Sequence, residues 1–255
     1  MKPSTLARQR EAGTYDIAEQ FQRYFSVTPA TTTALKQAIY KLRYEVYCKE
    51  FNYEPIENFP DGMEQDEYDS YALNVLVQHK SSGQAAGCTR LITTDPANAD
   101  APLPIERHCR DSLNTDYLDE LNLSRQSICE ASRLSVARNF RRRPGESKTR
   151  YGCLESLGFS LHEQRTFPLI SVSISLATTA LTELTGRHSM FAMMEPSLPR
   201  LLHRIGYNFK QVGDITDYHG KRAAYLQETN AVLQNLKPEL RDLYREIREN
   251  LREFA

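Results

Sequence analysis

Residues 63–94, MEQDEYDSYALNVLVQHKSSGQAAGCTRLITT, decide the fold. After an acidic lead-in, two apolar runs flank the turn-forming Lys80-Ser81-Ser82-Gly83, the pattern of two adjacent strands. Upstream lies a Pro- and acid-punctuated loop over residues 53–69. Before it, Leu35, Ile39, Leu42, Val46 and Tyr47 recur at helical spacing behind the N-cap candidates Thr31, Thr32 and Thr33, so residues 33–50 are expected to form a helix.

Downstream, residues 95–127 hold prolines, acidic turns and a weak helical pattern, and read as a variable excursion. ICEASRLSVA (128–137) is strand-like, and residues 138–150 are strongly basic. FPLISVSISLATTALTELTG (167–186) alternates like a strand over its first half. Ile170, Ile174, Ala177, Leu181 and Leu184 nevertheless continue at helical spacing towards the C-cap Gly186, so the length favours a helix. HSMFAMM (188–194) reads as a strand, EPSLPRLLHRIG as a short helix, and YNFKQVG and RAAYLQET as closing strands. Residues 238–254 put Leu240, Leu243, Tyr244, Ile247 and Leu251 on one face of an amphipathic helix, suited to docking or oligomerisation. The order predicts an α/β (α+β) layer structure with a mixed, mainly antiparallel sheet flanked by helices. Its expected parts are an N-terminal arm (1–30), one domain (31–228) and the C-terminal helix (229–255).

Composition narrows the function classes. Of 255 residues, 40% are apolar and 25% charged, which suits a globular chain rather than a disordered one. Thirty-two basic against thirty-three acidic side chains give net −1, which argues against a globally basic nucleic-acid binder. No run reaches 18 apolar residues, and the first twenty contain no signal-peptide core, so neither membrane span nor export is expected. Five scattered cysteines without a CxxC pair point to free thiols in a reducing compartment, hence the cytoplasm. Six dispersed histidines with no cysteine cluster predict no metal site.

Three constellations could carry chemistry: Arg43 with Asp66-x-x-Asp69 and Arg90; Glu130-Ala131-Ser132-Arg133; and Arg142-x-x-Gly145-x-Ser147. Strand alternation would put Glu130 and Ser132 on one face, with Ala131 and Arg133 on the other. A carboxylate beside a hydroxyl in a partly buried strand can orient an amine, accept its proton or donate to a developing oxyanion. On chemistry alone, Glu130 reads first as a sheet-surface acid paired with a neighbouring Arg, and the Arg43, Asp66, Asp69 and Arg90 set most simply as a structural ion-pair network.

LRYEVYCKEFNYE (42–54), residues 63–94 and CEASRLSV (129–136) together resemble the acyl-homoserine lactone (autoinducer) synthases. The resemblance is closer to their relatives, the N-acyl amino acid synthases and the acyltransferases of exosortase (PEP-CTERM) systems, and it spans roughly residues 35–228. It implies a GNAT-like acyltransferase fold and transfer of an acyl chain from a carrier-protein thioester to an amine. By position it implies an organising set of Arg43, Tyr47, Tyr53, Asp66, Asp69 and Arg90, and a catalytic set of Glu130, Ser132 and Arg133. Here Tyr47 and Tyr53 stand where autoinducer synthases typically carry Phe and Trp, and the stretch from Arg90 to Glu130 is longer. Both departures favour the N-acyl amino acid branch.

In that reading Glu130 removes a proton from the acceptor amine, and Ser132 positions the acceptor or the departing thiol. The charged cluster holds the helix and the Tyr53 loop over the cleft, and Arg43 or Arg90 could lend itself to a substrate carboxylate. The thioester carbonyl would lie between splayed strands near 130–136 and 188–194. Ile170, Ile174 and Ala177 with Met193 would wall the acyl chain. Arg141, Arg142, Arg143 and Gly145 approximate a pantetheine-phosphate loop and suit an acidic acyl carrier protein. The expected co-substrate is therefore acyl carrier protein bearing a 4′-phosphopantetheine thioester, with no resident cofactor and a small amine or amino acid as acceptor. The rivals are a homoserine-lactone synthase using S-adenosylmethionine and a non-catalytic acyl-carrier or lipid-binding module.

Overall fold

The hairpin read from residues 63–94 is the middle of the sheet. In a computed structural model, which describes residues 16–95, 97–141 and 166–254, β2 (Leu73–His79) and β3 (Ala85–Ile92) pair antiparallel. Gly83, at φ +69°, closes their turn by donating its N–H to His79 O at 2.8 Å. Strand β1 (Phe25–Pro29), whose alternation of Phe25 and Val27 is too brief to announce it, extends the sheet beyond β2. It follows helix α1 (Ile17–Tyr24), which is capped by the Asp16 carboxylate.

Helix α2 (Thr33–Arg43) begins at the N-cap Thr32, and residues 44–50 continue it with wider, π-type turns. The widened end closes with Phe51 N–H donating to Val46 O. The excursion contains two short helices, α3 (Pro104–His108) and α4 (Thr115–Leu121), ahead of strand β4 (Ile128–Val136).

Residues 168–184 settle the helix-or-strand ambiguity as helix α5 (Pro168–Leu184), with Gly186 at φ +67° just past its end. The helix is buried almost all round, which is why its periodicity is weak. Its hydroxyls return to the helix itself: Ser173 donates to Ile170 O and Thr178 to Ile174 O, at 2.9 and 3.0 Å. Gly87 allows it to lie close to the sheet, since a Cβ there would sit 2.5 Å from Ile174 Cδ1. Strand β5 (Ser189–Met194), helix α6 (Ser197–His203) and strands β6 (Lys210–Gln211), β7 (Thr216–Asp217) and β8 (Lys221–Glu228) follow.

The strand order is β1-β2-β3-β4-β5-β8-β6, with β7 beside β8. Among the described residues every strand pairing is antiparallel except β4 with β5, which α5 connects as a crossover. Helices α7 (Thr229–Asn235) and α8 (Arg241–Leu251) complete the chain, and Leu243, Tyr244, Ile247 and Leu251 of α8 join α5 and β1 in the main core.

Candidate active site

The single parallel pairing is also where the sheet opens. Strands β4 and β5 are in register only over Ile128–Glu130 and Ser189–Phe191, although β4 runs on to Val136 and β5 to Met194. The splay expected near 130–136 and 188–194 is thus present, and a cavity of about 130 Å³ occupies it. One side of that cavity is polar, with Asp66, Arg90, Glu130, Ser132 and Arg133; the other is apolar, with Met190, Met194, Leu198 and Leu202. Met193 lines it as expected, but α5 contributes Ser175 and Thr178. Ile170 and Ile174 are instead spent on the tight approach to Gly87 within the core.

Glu130 is only 4% exposed, and Ile105 N–H, in the first turn of α3, donates to its Oε2 at 2.7 Å. Burial pushes its carboxyl up to about 7, against the opposing pull of that N–H and of Arg90 and Arg133. A carboxylate poised near neutrality is suited to general base work. Nothing in the 95–127 pattern announced that the excursion would supply this N–H, because the contact joins residues 25 apart in sequence.

The charged residues assemble into one buried network. Arg43 pairs through Nε with Glu64 and grips Asp69 with both terminal nitrogens, at 2.7 and 2.9 Å. Arg90 grips Asp66 at 2.5 and 2.9 Å, reaches Asp69 at 3.0 Å, and donates Nε–H to Ser132 Oγ at 3.1 Å. Asp66 and Asp69 are placed by their own spacing: Asp66 caps a turn of 3-10 helix and Asp69 accepts from Asp66 N–H. Glu64 was not singled out by the sequence, yet it is 1% exposed and binds both Arg43 and Arg133. Burial alone would raise its carboxyl, but Arg43 and Arg133 outweigh it and hold the group below its ordinary range. With the guanidiniums of Arg43 and Arg90 fully engaged, neither keeps an open edge for a substrate carboxylate, contrary to expectation.

Strand alternation also mispredicts Arg133. Residues Ser132 and Ser135 pair with Arg90 and Cys88, so β4 carries one extra residue there, and Arg133 adopts φ +53°. The bulge swings Arg133 to the side of Ser132, where it meets Glu64 at 3.0 Å and Asp66 at 3.3 Å and covers the Tyr47 ring at 5.4 Å. Tyr47 OH lies 3.4 Å from Leu134 O, and Tyr53 packs edge-on to Tyr47 and against His219. Arg141 lies elsewhere, paired with Glu50 and stacked over Phe51. Arg142, Arg143 and Gly145 lie outside the described residues.

A family profile described as acetyltransferase (GNAT) domain matches residues 42–149, the stretch that carries this network and Glu130. No curated protein is significantly similar in sequence. Among solved structures, the acyl-homoserine lactone synthase LasI superposes with a TM-score of 0.56 at 19% identity, covering 84% of this chain and 95% of that one. BjaI, a CoA-dependent acyl-homoserine lactone synthase solved with SAM and isopentyl-CoA, gives 0.55 at 18%, covering 88% and 89%. FeeM, an N-acyl amino acid synthase from uncultured soil microbes, gives 0.52 at 10%, covering 83% and 94%. Residues 42–149 thus match an acetyltransferase (GNAT) domain, and the chain as a whole has the fold of these synthases.

Proposed function

We propose that the protein transfers a fatty acyl chain from the thioester of an acyl carrier protein to the amine of an amino acid or similar small amine. The observation that carries this reading is Glu130, a buried carboxyl lifted to about 7 at the edge of the cavity between β4 and β5. An amine in water is protonated and cannot attack; Glu130 takes that proton. The freed nitrogen then adds to the thioester carbon. The developing oxyanion is met by a β4 backbone N–H beyond the Glu130–Phe191 pairing, where β4 no longer pairs with β5. The C–S bond breaks, and the thiolate leaves with the second proton of the nitrogen.

Ser132, held by Arg90, steers the acceptor or departing thiol, and Arg133 stiffens the bulge beside it. Arg43, Asp66, Asp69 and Arg90, with Tyr47 and Tyr53, keep the helical segment and its loop over the cleft. The carrier and its pantetheine phosphate are received by Arg142, Arg143 and Gly145, whereas Arg141 is committed to Glu50. The apolar wall of Met190, Met194, Leu198 and Leu202 takes the chain. The working compartment is the cytoplasm, beside an exosortase system, and residues 31–228 form the acyltransferase domain; among the described residues no helix is long and apolar enough to cross a membrane. Tyr47 and Tyr53 in place of Phe and Trp, with the lengthened stretch before Glu130, favour an amino acid over S-adenosylmethionine as acceptor.

Mass spectrometry of lipids from cells overproducing the native protein or Glu130→Gln tests the reading. An N-acyl amino acid formed only by the native protein supports it. An acyl-homoserine lactone instead would change the acceptor, and no new lipid would overturn it.

A further inference from the structure

Arg90, Arg133 and Arg222 line the cavity, Arg43 belongs to the same charged network, and Arg222 is unlike the rest. Arg43, Arg90 and Arg133 each meet at least two carboxylates. Arg222 is only 4% exposed, yet no carboxylate lies within ion-pair distance of it among the described residues. Its Nη2 donates to His219 O at 3.0 Å, its Nε–H is buried without a partner, and its guanidinium covers the Tyr53 ring at 5.0 Å. A buried cation left unpaired is costly, so its retention calls for a ligand of opposite charge.

The geometry also says which part of the cavity that ligand occupies. Along β8, Ala223 and Tyr225 belong to the α5 side of the sheet, whereas Ala224 and Leu226 belong to the other side. Alternation therefore puts Arg222 with Ala224 and Leu226, the side on which Ile128 flanks Glu130. The Cys109 thiol, also in the cavity wall, feels both the Glu130 carboxylate and the Arg222 cation. The apolar wall of Leu198, Leu202, Met190 and Met194 belongs instead with α5.

We propose that Arg222 is the anchor for the carboxylate of the acceptor, gripping it with its unused guanidinium edge so that the amine of an α-amino acid is presented towards Glu130. The assignment rests on the acyltransferase reading for the amine, but carboxylate recognition stands apart from turnover. It also supplies what Arg43 and Arg90, both saturated, cannot. Tyr53 then acts as the platform that holds the guanidinium flat.

The test compares binding of N-dodecanoylglycine with that of its carboxamide by titration calorimetry, for native protein, Arg222→Gln and Arg222→Lys. Native protein is expected to prefer the acid about 10- to 100-fold, the range for a charge-assisted bidentate contact. The preference should vanish in Arg222→Gln and persist in part in Arg222→Lys. Because the cation is unpaired in the free protein, Arg222→Gln should melt no earlier than native protein. A native protein that binds acid and amide alike, or neither, overturns the anchor, as does an acid preference that survives in Arg222→Gln or a melt that falls with it. Thioester turnover is read separately. An Arg222-dependent acid preference without acyl transfer keeps the anchor and removes the enzymatic reading, and turnover on amino acids without acid preference does the reverse.

Discussion

Glu64 and Glu130 are both buried, 1% and 4% exposed, yet their carboxyls are driven in opposite directions. Glu64 is pinned by Arg43 and Arg133 and held ionised. Glu130 has one backbone N–H in direct contact and is lifted to about 7. Burial is common to both; the partner decides the sign. Where charges are matched the fold gains rigidity, and where one is left under-compensated it gains a group that can exchange a proton or hold an ion.

Removing the base is the sharpest way to break this contrast. Glu130→Gln should lower acyl transfer by about 100- to 10,000-fold while leaving the folded state intact. Full activity in a thioester-release assay would strip Glu130 of its role. Arg43→Met attacks the opposite member, since it leaves Glu64 and Asp69 buried without their main counter-charge. Breaking a buried pair in this way should cost about 3–5 kcal/mol in denaturant unfolding. A loss below about 1 kcal/mol would mean that the network is not structural.

Proton linkage separates the two glutamates without any chemistry. Folding raises the Glu130 carboxyl from an ordinary 4.5 to about 7, so the folded state binds the proton more tightly than the unfolded chain. The stability this confers is complete below pH 4.5 and is lost as pH rises through about 7. Native protein should therefore lose about 3 kcal/mol against Glu130→Gln across that window. Glu64 and Asp69, held low, act with the other sign: their contribution is present above the carboxylate range and disappears as pH falls. The rate should in turn rise with pH through about 7 as Glu130 ionises, and a flat profile for acyl transfer would contradict its role as base. The smallest effect belongs to Ser132→Ala, which removes one hydrogen bond from an otherwise intact Arg90 and should cost about 1 kcal/mol in thermal unfolding. A larger loss would make the hydroxyl a part of the network rather than a guide for substrate.

Much of the frame is legible in local pattern. The Lys80–Gly83 turn, the apolar run at 128–137 and the long helix after Pro168 all follow from periodicity and punctuation. The spacing Asp66-x-x-Asp69 builds its own cap, so that pair could be found without tertiary context. Glu64 could not: seven carboxylates fall between residues 54 and 69, and nothing local says which of them will be buried. Arg133 was assigned to the wrong face because a bulge is a mismatch between two strands and leaves no signature in either alone.

The order of most elements, the mainly antiparallel sheet and most of the residues gathered around the cleft can be read from local pattern, because repeats of 2 and 3.6 residues act over neighbours in the chain. Which charges are matched follows only from the folded arrangement. Arg43, Arg90 and Arg133 meet carboxylates that lie 21 to 79 residues away, Glu130 meets an N–H 25 residues away, and Arg222 meets no carboxylate among the described residues. Charge compensation is a sum over everything that folding brings close in a dry interior, and no window of sequence contains that sum.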